Sequence, residues 1–263
     1  MIHRDPALHR MQLLLGPEPL AQLAKTRVLL VGLGGVGSWC AEALVRSGVG
    51  HLHLVDFDRV QPSNLNRQLQ ATTRTVGHAK TAALQARLRD VMPGAHIDAT
   101  EAMYTPEAAH RFDYNDYDYV IDAIDSIPNK AHLIAQTLTS RATLFSAMGA
   151  AGKRDPTQVR TGPFWKVQGC PLARHLRKAL RQQHITRAFS CVYSEEPRAQ
   201  AVTAHRDPDD DSHDNHAPAA TGYINGSAVQ ITGTFGLFLA ALVVNDVTRR
   251  ATSPLAAPAT APQ

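Results

Sequence analysis

Cysteine is scarce in this 263-residue chain: Cys40, Cys170 and Cys191 are odd in number and far apart. No disulfide framework fits that spacing, so we expect free thiols and a reducing, cytoplasmic setting. No cation stands next to Cys191 in sequence, and all three thiols are read as small core groups. The first residues, Met1-Ile2-His3-Arg4-Asp5, contain no apolar stretch, and a secretory signal is not expected. Nor does any apolar run reach the roughly 18–20 residues that a membrane span requires. The run Ile231 to Val244 is broken by Thr232, Gly233, Thr234 and Gly236 and stops at Asn245-Asp246. It reads as a buried helix, without membrane contact.

Acid is nearly missing from one segment. Between Arg160 and Arg198 only Glu195 and Glu196 oppose Arg160, Lys166, Arg174, Arg177, Lys178, Arg181, Arg187 and Arg198. That stretch nets more positive charge than the whole chain, whose formal charge is +4. A polyanionic partner is expected from it. Apolar residues are equally thin from 203 to 221, where His205, His213 and His216 stand among aspartates. We read this stretch as a flexible, solvated loop rather than a metal site.

The chain does have a regular alternation of elements and 44% hydrophobic residues, enough for a large core. Residues 5–25 read as two short helices broken at Gly16-Pro17. Strands are expected at 27–31, 51–55, 95–100, 118–123 and 142–147. Helices are expected at 36–47, 78–91, 128–139 and, short, near 106–112. This pattern predicts an α/β fold, a Rossmann-like parallel sheet flanked by helices. After Gly149 it loosens into a C-terminal extension, with a helix at 171–182 and a strand at 188–193. The chain therefore divides into an N-terminal helical segment (1–26), a nucleotide-binding α/β core (27–150), a C-terminal substrate-binding portion (151–250) and a disordered tail (251–263).

The strand Val28-Leu29-Leu30-Val31 runs into Gly32-Leu33-Gly34-Gly35-Val36-Gly37, and the next strand ends at Asp56. Such glycines permit a tight turn and let phosphate approach backbone N–H groups at a helix N-terminus, while the carboxylate can accept ribose hydroxyls. On this alone the ligand is an adenine nucleotide, NAD or ATP. Arg67, within Ser63-Asn64-Leu65-Asn66-Arg67-Gln68, and Lys80, opening a helix, favour ATP, because a dehydrogenase needs no cations aimed at a third phosphate. A lysine in a first helical turn opposes the helix dipole, and a phosphate would supply its reason. Asp122 and Asp125 mark the carboxyl edge of the fourth strand, the ligand side of an open α/β sheet.

The glycine turn, the Asp56/Asp58 pair, the Ser63–Gln68 string, Lys80 and Asp122-Ala123-Ile124-Asp125-Ser126 together resemble the ThiF/MoeB family, relatives of the ubiquitin-activating enzymes, over roughly residues 5–200. Within it the chain looks most similar to the branch that dehydrates threonylcarbamoyladenosine in tRNA. Leu13-Leu14-Leu15-Gly16, Ser146-Ala147-Met148-Gly149-Ala150, Lys153, Asp155-Pro156-Thr157, Pro171-Leu172-Ala173-Arg174 and Val192-Tyr193-Ser194-Glu195-Glu196 carry that likeness.

The resemblance implies ATP-dependent cyclisation of the modified base through an acyl-adenylate. Gly32, Gly34, Gly35, Gly37, Asp56, Asp58, Asn64 and Gln68 would line the nucleotide pocket. Arg67 and Lys80 would stabilise phosphate charge, and Asp125 would bind Mg2+. Arg10 would reach the partner's ATP across a homodimer. Partners implied are tRNA and sulfur-relay proteins. Structural zinc is not expected, because the two C-x-x-C pairs of zinc-binding members are missing. Arg174, Arg177, Lys178 and Arg181 fall at i, i+3, i+4 and i+7, one helical face suited to tRNA phosphates. Leu172, Leu176 and Leu180 should pack beneath them. The rival readings are adenylation of a ubiquitin-like sulfur carrier's C-terminal carboxylate, an NAD-dependent oxidoreductase, and a nucleotide-gated tRNA-binding module without turnover.

Overall fold

Strand β1 (Arg27–Val31) is buried along Val28–Val31 and hydrogen-bonds a parallel neighbour on each side. Such a strand has no solvent face, which is why its sequence is a continuous β-branched and leucine run rather than an alternating one. The computed structural model describes residues 5–199 and 226–252. The expected loop 203–221 therefore lies outside the described residues.

Around β1 stand β2 (His51–Asp56), β3 (His96–Glu101), β4 (Tyr119–Asp122), β5 (Thr143–Ala147), β6 (Val159–Pro163) and β7 (Ser190–Ser194). They form one seven-stranded sheet in the order β3-β2-β1-β4-β5-β7-β6, parallel except for the β6–β7 edge pair. The expected parallel sheet flanked by helices is what the chain forms, and β6 and β7 continue that sheet. β6 was not foreseen. Only Val159 of its five residues is buried, so it carries no apolar signal.

Helices α1 (His9–Leu15) and α2 (Pro17–Leu23) precede the sheet and break at Gly16-Pro17 as expected. Then follow α3 (Gly37–Arg46), α4 (Lys80–Val91), α5 (Ile127–Thr139), α6 (Pro171–Gln182) and α7 (Val229–Thr252). Alternate residues of β1 feed two cores. Val28 and Leu30 join Leu44 of α3, Leu84 of α4 and Leu239 of α7, whereas Leu29 and Val31 join Leu133 of α5 and Leu176 of α6. The short helix expected near 106–112 is a single 3-10 turn, Ala109–Arg111, because that stretch buries only Ala109 and Phe112.

Helix α7 is a core helix, longer than the apolar run suggested. At 24 residues it meets the length and composition of a membrane span, yet 56% of its most apolar window is buried in the fold. Its glycines explain the interruptions: a Cβ on Gly236 would stand 2.4 Å from the Val36 carbonyl oxygen, so this residue lets α7 lie against α3. The helix includes Ala251 and Thr252, which corrects the expectation that the disordered tail begins at 251; the rest of the tail lies outside the described residues. The two described segments meet at Gly152, whose N–H donates to the Gly226 carbonyl and whose carbonyl accepts from Ala199 N–H, both at 2.8 Å.

Candidate active site

The strand order reverses direction between β1 and β4, and the crevice outside their carboxyl ends is where an open α/β sheet receives ligand. The glycine turn fills one wall. Gly32 adopts φ +94°, and a Cβ there would lie 2.7 Å from the Ala123 carbonyl oxygen of the β4 loop. A Cβ on Gly37 would lie 1.8 Å from the Gly32 carbonyl oxygen, so no larger residue can close this turn. Gly34 has nothing within 4 Å of its Cβ position, leaving the backbone approachable where α3 begins.

Asp56, ending β2, is pinned to the turn. Its Oδ2 accepts from Leu33 N–H at 2.5 Å and its Oδ1 from Asp58 N–H at 2.8 Å. Burial pushes its carboxyl above the ordinary carboxylate range, opposed by the Lys80 charge and these two N–H donors. Lys80 is nearly buried and pairs with Asp58 Oδ2 at 2.7 Å, while its own N–H donates to the Asp58 carbonyl at 2.9 Å. That supplies a structural reason for a lysine in a first turn that sequence spacing could not offer. An ammonium has three donors, so two remain for a phosphate.

Arg67 is half-buried. Its Nη1 donates to the Ser63 carbonyl and to Asn66 Oδ1, each at 2.9 Å, and its carbonyl accepts from Trp39 Nε1 at 3.1 Å. Its Cγ would lie 3.2 Å from a Cβ on Gly35, so the side chain crosses the glycine turn. Buried Asn64 caps its own segment, accepting from Gln61 N–H at 3.1 Å. Asn66 Nδ2 donates to the Ser227 carbonyl at 2.8 Å, joining the string to the start of α7. Gln68 is buried, and its Oε1 has no hydrogen-bond partner among the described residues.

Gln70 was missed by the sequence reading. It is buried, donates from Nε2 to the Leu33 carbonyl at 2.8 Å, and like Gln68 leaves its Oε1 unpartnered among the described residues. Lys130 was also missed. Fully buried in α5, it pairs with equally buried Asp122 at 2.7 Å. Asp122 does cap the next turn through Ile124 N–H at 3.1 Å, but the ion pair is its larger commitment. Asp125 stands exposed in the loop between β4 and α5. Arg10 is exposed on α1 and makes no hydrogen bond or ion pair among the described residues; one chain does not bring it to the crevice.

The basic face of α6 needs correction. Arg174, Lys178 and Arg181 are exposed, but Arg177 is half-buried, donates to the Val167 carbonyl at 2.6 Å and lies 5.9 Å over the Phe164 ring. Arg181 stacks 5.7 Å over Trp165. The helix buries Ala173, Leu176 and Leu180; Leu172 is only half-buried. All three cysteines are buried. Burial pushes the Cys191 thiol up to about 12, against an opposing effect of Lys130 and Arg177. Cations do stand near Cys191, contrary to its sequence surroundings, but burial outweighs them.

No group of three or more His, Cys, Asp or Glu is gathered as a metal site among the described residues. Mg2+ asks for less, one or two carboxylates completed by phosphate oxygens and water, and Asp125 at the crevice edge fits that donor set.

A family model described as the ThiF family matches residues 8–256. The chain is 40% identical over 196 residues to a tRNA threonylcarbamoyladenosine dehydratase of Bacillus subtilis, covering 74% of this chain and 76% of that one. It is 34% identical over 241 residues to the Haemophilus influenzae protein of the same description, covering 89% and 90%. Among solved structures, the Escherichia coli tRNA N6-threonylcarbamoyladenosine dehydratase in complex with ATP superposes with a TM-score of 0.83 at 30% identity, covering 95% and 97% of the two chains.

Proposed function

We propose that this chain, which belongs to the ThiF family, is an ATP-dependent adenylating enzyme that dehydrates threonylcarbamoyladenosine in tRNA to its cyclic form. One observation carries the reading. The likeness to dehydratases extends over nine-tenths of both chains, beyond the nucleotide crevice into the C-terminal part that would meet substrate.

In the first step the threonine carboxylate of the modified base attacks the α-phosphate of ATP, forming an acyl-adenylate and releasing pyrophosphate. A nucleophile of the same side chain then attacks the acyl carbon, closes the ring and expels AMP. Adenylation turns the carboxylate oxygen into a good leaving group, and ring closure within one side chain needs positioning more than a protein nucleophile. Arg67 and Lys80 would stabilise charge on the phosphates, Lys80 steered by Asp58. The glycine turn would offer backbone N–H groups, and Asp56 would accept ribose hydroxyls. Asn64, through its hold on Gln61, would keep the Ser63–Gln68 string in place beside the pocket, and Gln68 would line it. Asp125 would hold Mg2+, which when bound neutralises phosphate charge and orients the leaving pyrophosphate.

The buried, weakly acidic Cys191 speaks against a thioester on this thiol. tRNA would dock on Arg174, Lys178 and Arg181 of α6, where three exposed cations share one helix. A homodimer in which Arg10 completes the partner's site, contact with sulfur-relay proteins and a cytoplasmic location belong to the same reading. The test is mass spectrometry of nucleosides from tRNA of a strain lacking this protein. The linear threonylcarbamoyladenosine should accumulate and the cyclic form vanish; an unchanged nucleoside profile would remove the assignment.

A further inference from the structure

A lysine with no solvent exposure at all must be held by its surroundings, since a buried charge is costly unless paired and hydrogen-bonded. Lys130 meets that condition through two contacts: Asp122 Oδ2 at 2.7 Å and the Ile124 carbonyl at 2.8 Å. Asp122 in turn accepts from Ile124 N–H at 3.1 Å through Oδ1 and from Ser146 Oγ at 2.6 Å through Oδ2. Ile124 is therefore gripped on both sides, its N–H by the carboxylate and its carbonyl by the ammonium. The residues flanking it follow the carboxyl end of β4, beside the glycine turn. Ala123 donates its N–H to Val31 at 2.9 Å and sets its own carbonyl where a Cβ on Gly32 would stand 2.7 Å away. Asp125 follows directly.

We propose that the Asp122–Lys130 pair, braced by Ser146, is a positioning device for ATP: it fixes the Ala123–Asp125 loop against the glycine turn without itself touching the nucleotide. Stability alone does not call for this pair, since apolar residues of similar volume commonly replace a buried ion pair at no loss. Apolar residues could not hold both polar groups of Ile124. The inference rests on the crevice being an ATP site.

The test compares the wild type with the double variant Asp122→Asn, Lys130→Met. The asparagine Oδ1 still accepts from Ile124 N–H, and its Nδ2 can donate to Ser146 Oγ with that bond reversed. The methionine fills the lysine's volume, so the charges and the donor to the Ile124 carbonyl are what is lost. The double variant should melt within a few degrees of the wild type and bind tRNA equally well. Its Kd and KM for ATP should rise about tenfold or more, because a loop no longer held in its bound geometry must be ordered at the expense of affinity. A merely structural role would lower the melting temperature and leave the ATP constants of the folded fraction alone. A folded double variant with wild-type ATP affinity overturns the proposal. Should it fail to fold, Ser146→Ala decides, because both charges stay in place. Weaker ATP binding by about threefold supports the brace, and unchanged ATP binding overturns it. A wild-type protein that binds no ATP overturns the nucleotide reading first, and the positioning role with it.

Discussion

Arg67 and Lys80 are the two cations of the proposed nucleotide site, and because they are anchored differently their variants should differ accordingly. Arg67 makes its contacts to neighbouring loop groups and is half-buried, so Arg67→Ala should lower ATP-dependent pyrophosphate release with little change in melting temperature. Loss of one phosphate-stabilising contact typically costs roughly 3 kcal/mol of barrier, on the order of a hundredfold in rate. Lys80→Ala should show a similar loss of rate and also melt earlier, because Asp58 then keeps a partly buried charge without its partner. Near-wild-type turnover in both would remove the ATP-site assignment. Cys191→Ala should retain most activity, because burial keeps its thiol protonated at neutral pH. A thioester trapped on Cys191 would contradict that. At this scale the sequence exposed what a motif fixes by spacing: the glycines, Asp56, Asp58, Arg67 and Lys80. It could not expose Lys130, which reads as an ordinary helix lysine, or Gln70, whose partner Leu33 is 37 residues away. Their roles come from through-space contacts that leave no local signature.

Helix α6 shows how far a pattern reaches at the scale of an element. Its 3.6-residue periodicity fixed its bounds, 171–182, because one apolar stripe, Leu176 and Leu180, repeats against a charged face. The same periodicity assigned all four cations to one solvent face, and there it misled. Arg177 is drawn down by the Val167 carbonyl and the Phe164 ring, neither of which belongs to the helix. The triple variant Arg174→Gln, Lys178→Gln, Arg181→Gln should therefore weaken tRNA binding and flatten its salt dependence, since each lost phosphate contact removes released counterions. Arg177→Gln alone should mainly lower the melting temperature. Filter binding across a salt series, paired with thermal melts, checks both. A triple variant with the wild-type salt slope would make the helix only a solvated face. Strand β6 marks the opposite limit: a sheet-edge strand with one buried residue has no pattern to read, and only its pairing with β7 defines it.

For the whole molecule, the alternation of strands and helices was enough to set a parallel sheet, and the glycine turn after β1 placed the crevice at its carboxyl edge. What alternation could not convey is that β7 and β6 extend the same sheet, because their pairing joins segments far apart in sequence. Arg10 is exposed on α1, and the proposed homodimer would give it a role at the partner's site. Light scattering should find a dimer at working concentration, and a monomer would make a cross-protomer role for Arg10 untenable. The central claim is that ATP cleavage is spent on dehydrating a base in tRNA. The most direct measurement incubates the purified protein with ATP and tRNA carrying threonylcarbamoyladenosine, and counts AMP released against nucleoside dehydrated. One AMP and one pyrophosphate per cyclised nucleoside is the predicted result; pyrophosphate release with the nucleoside left intact would contradict the account.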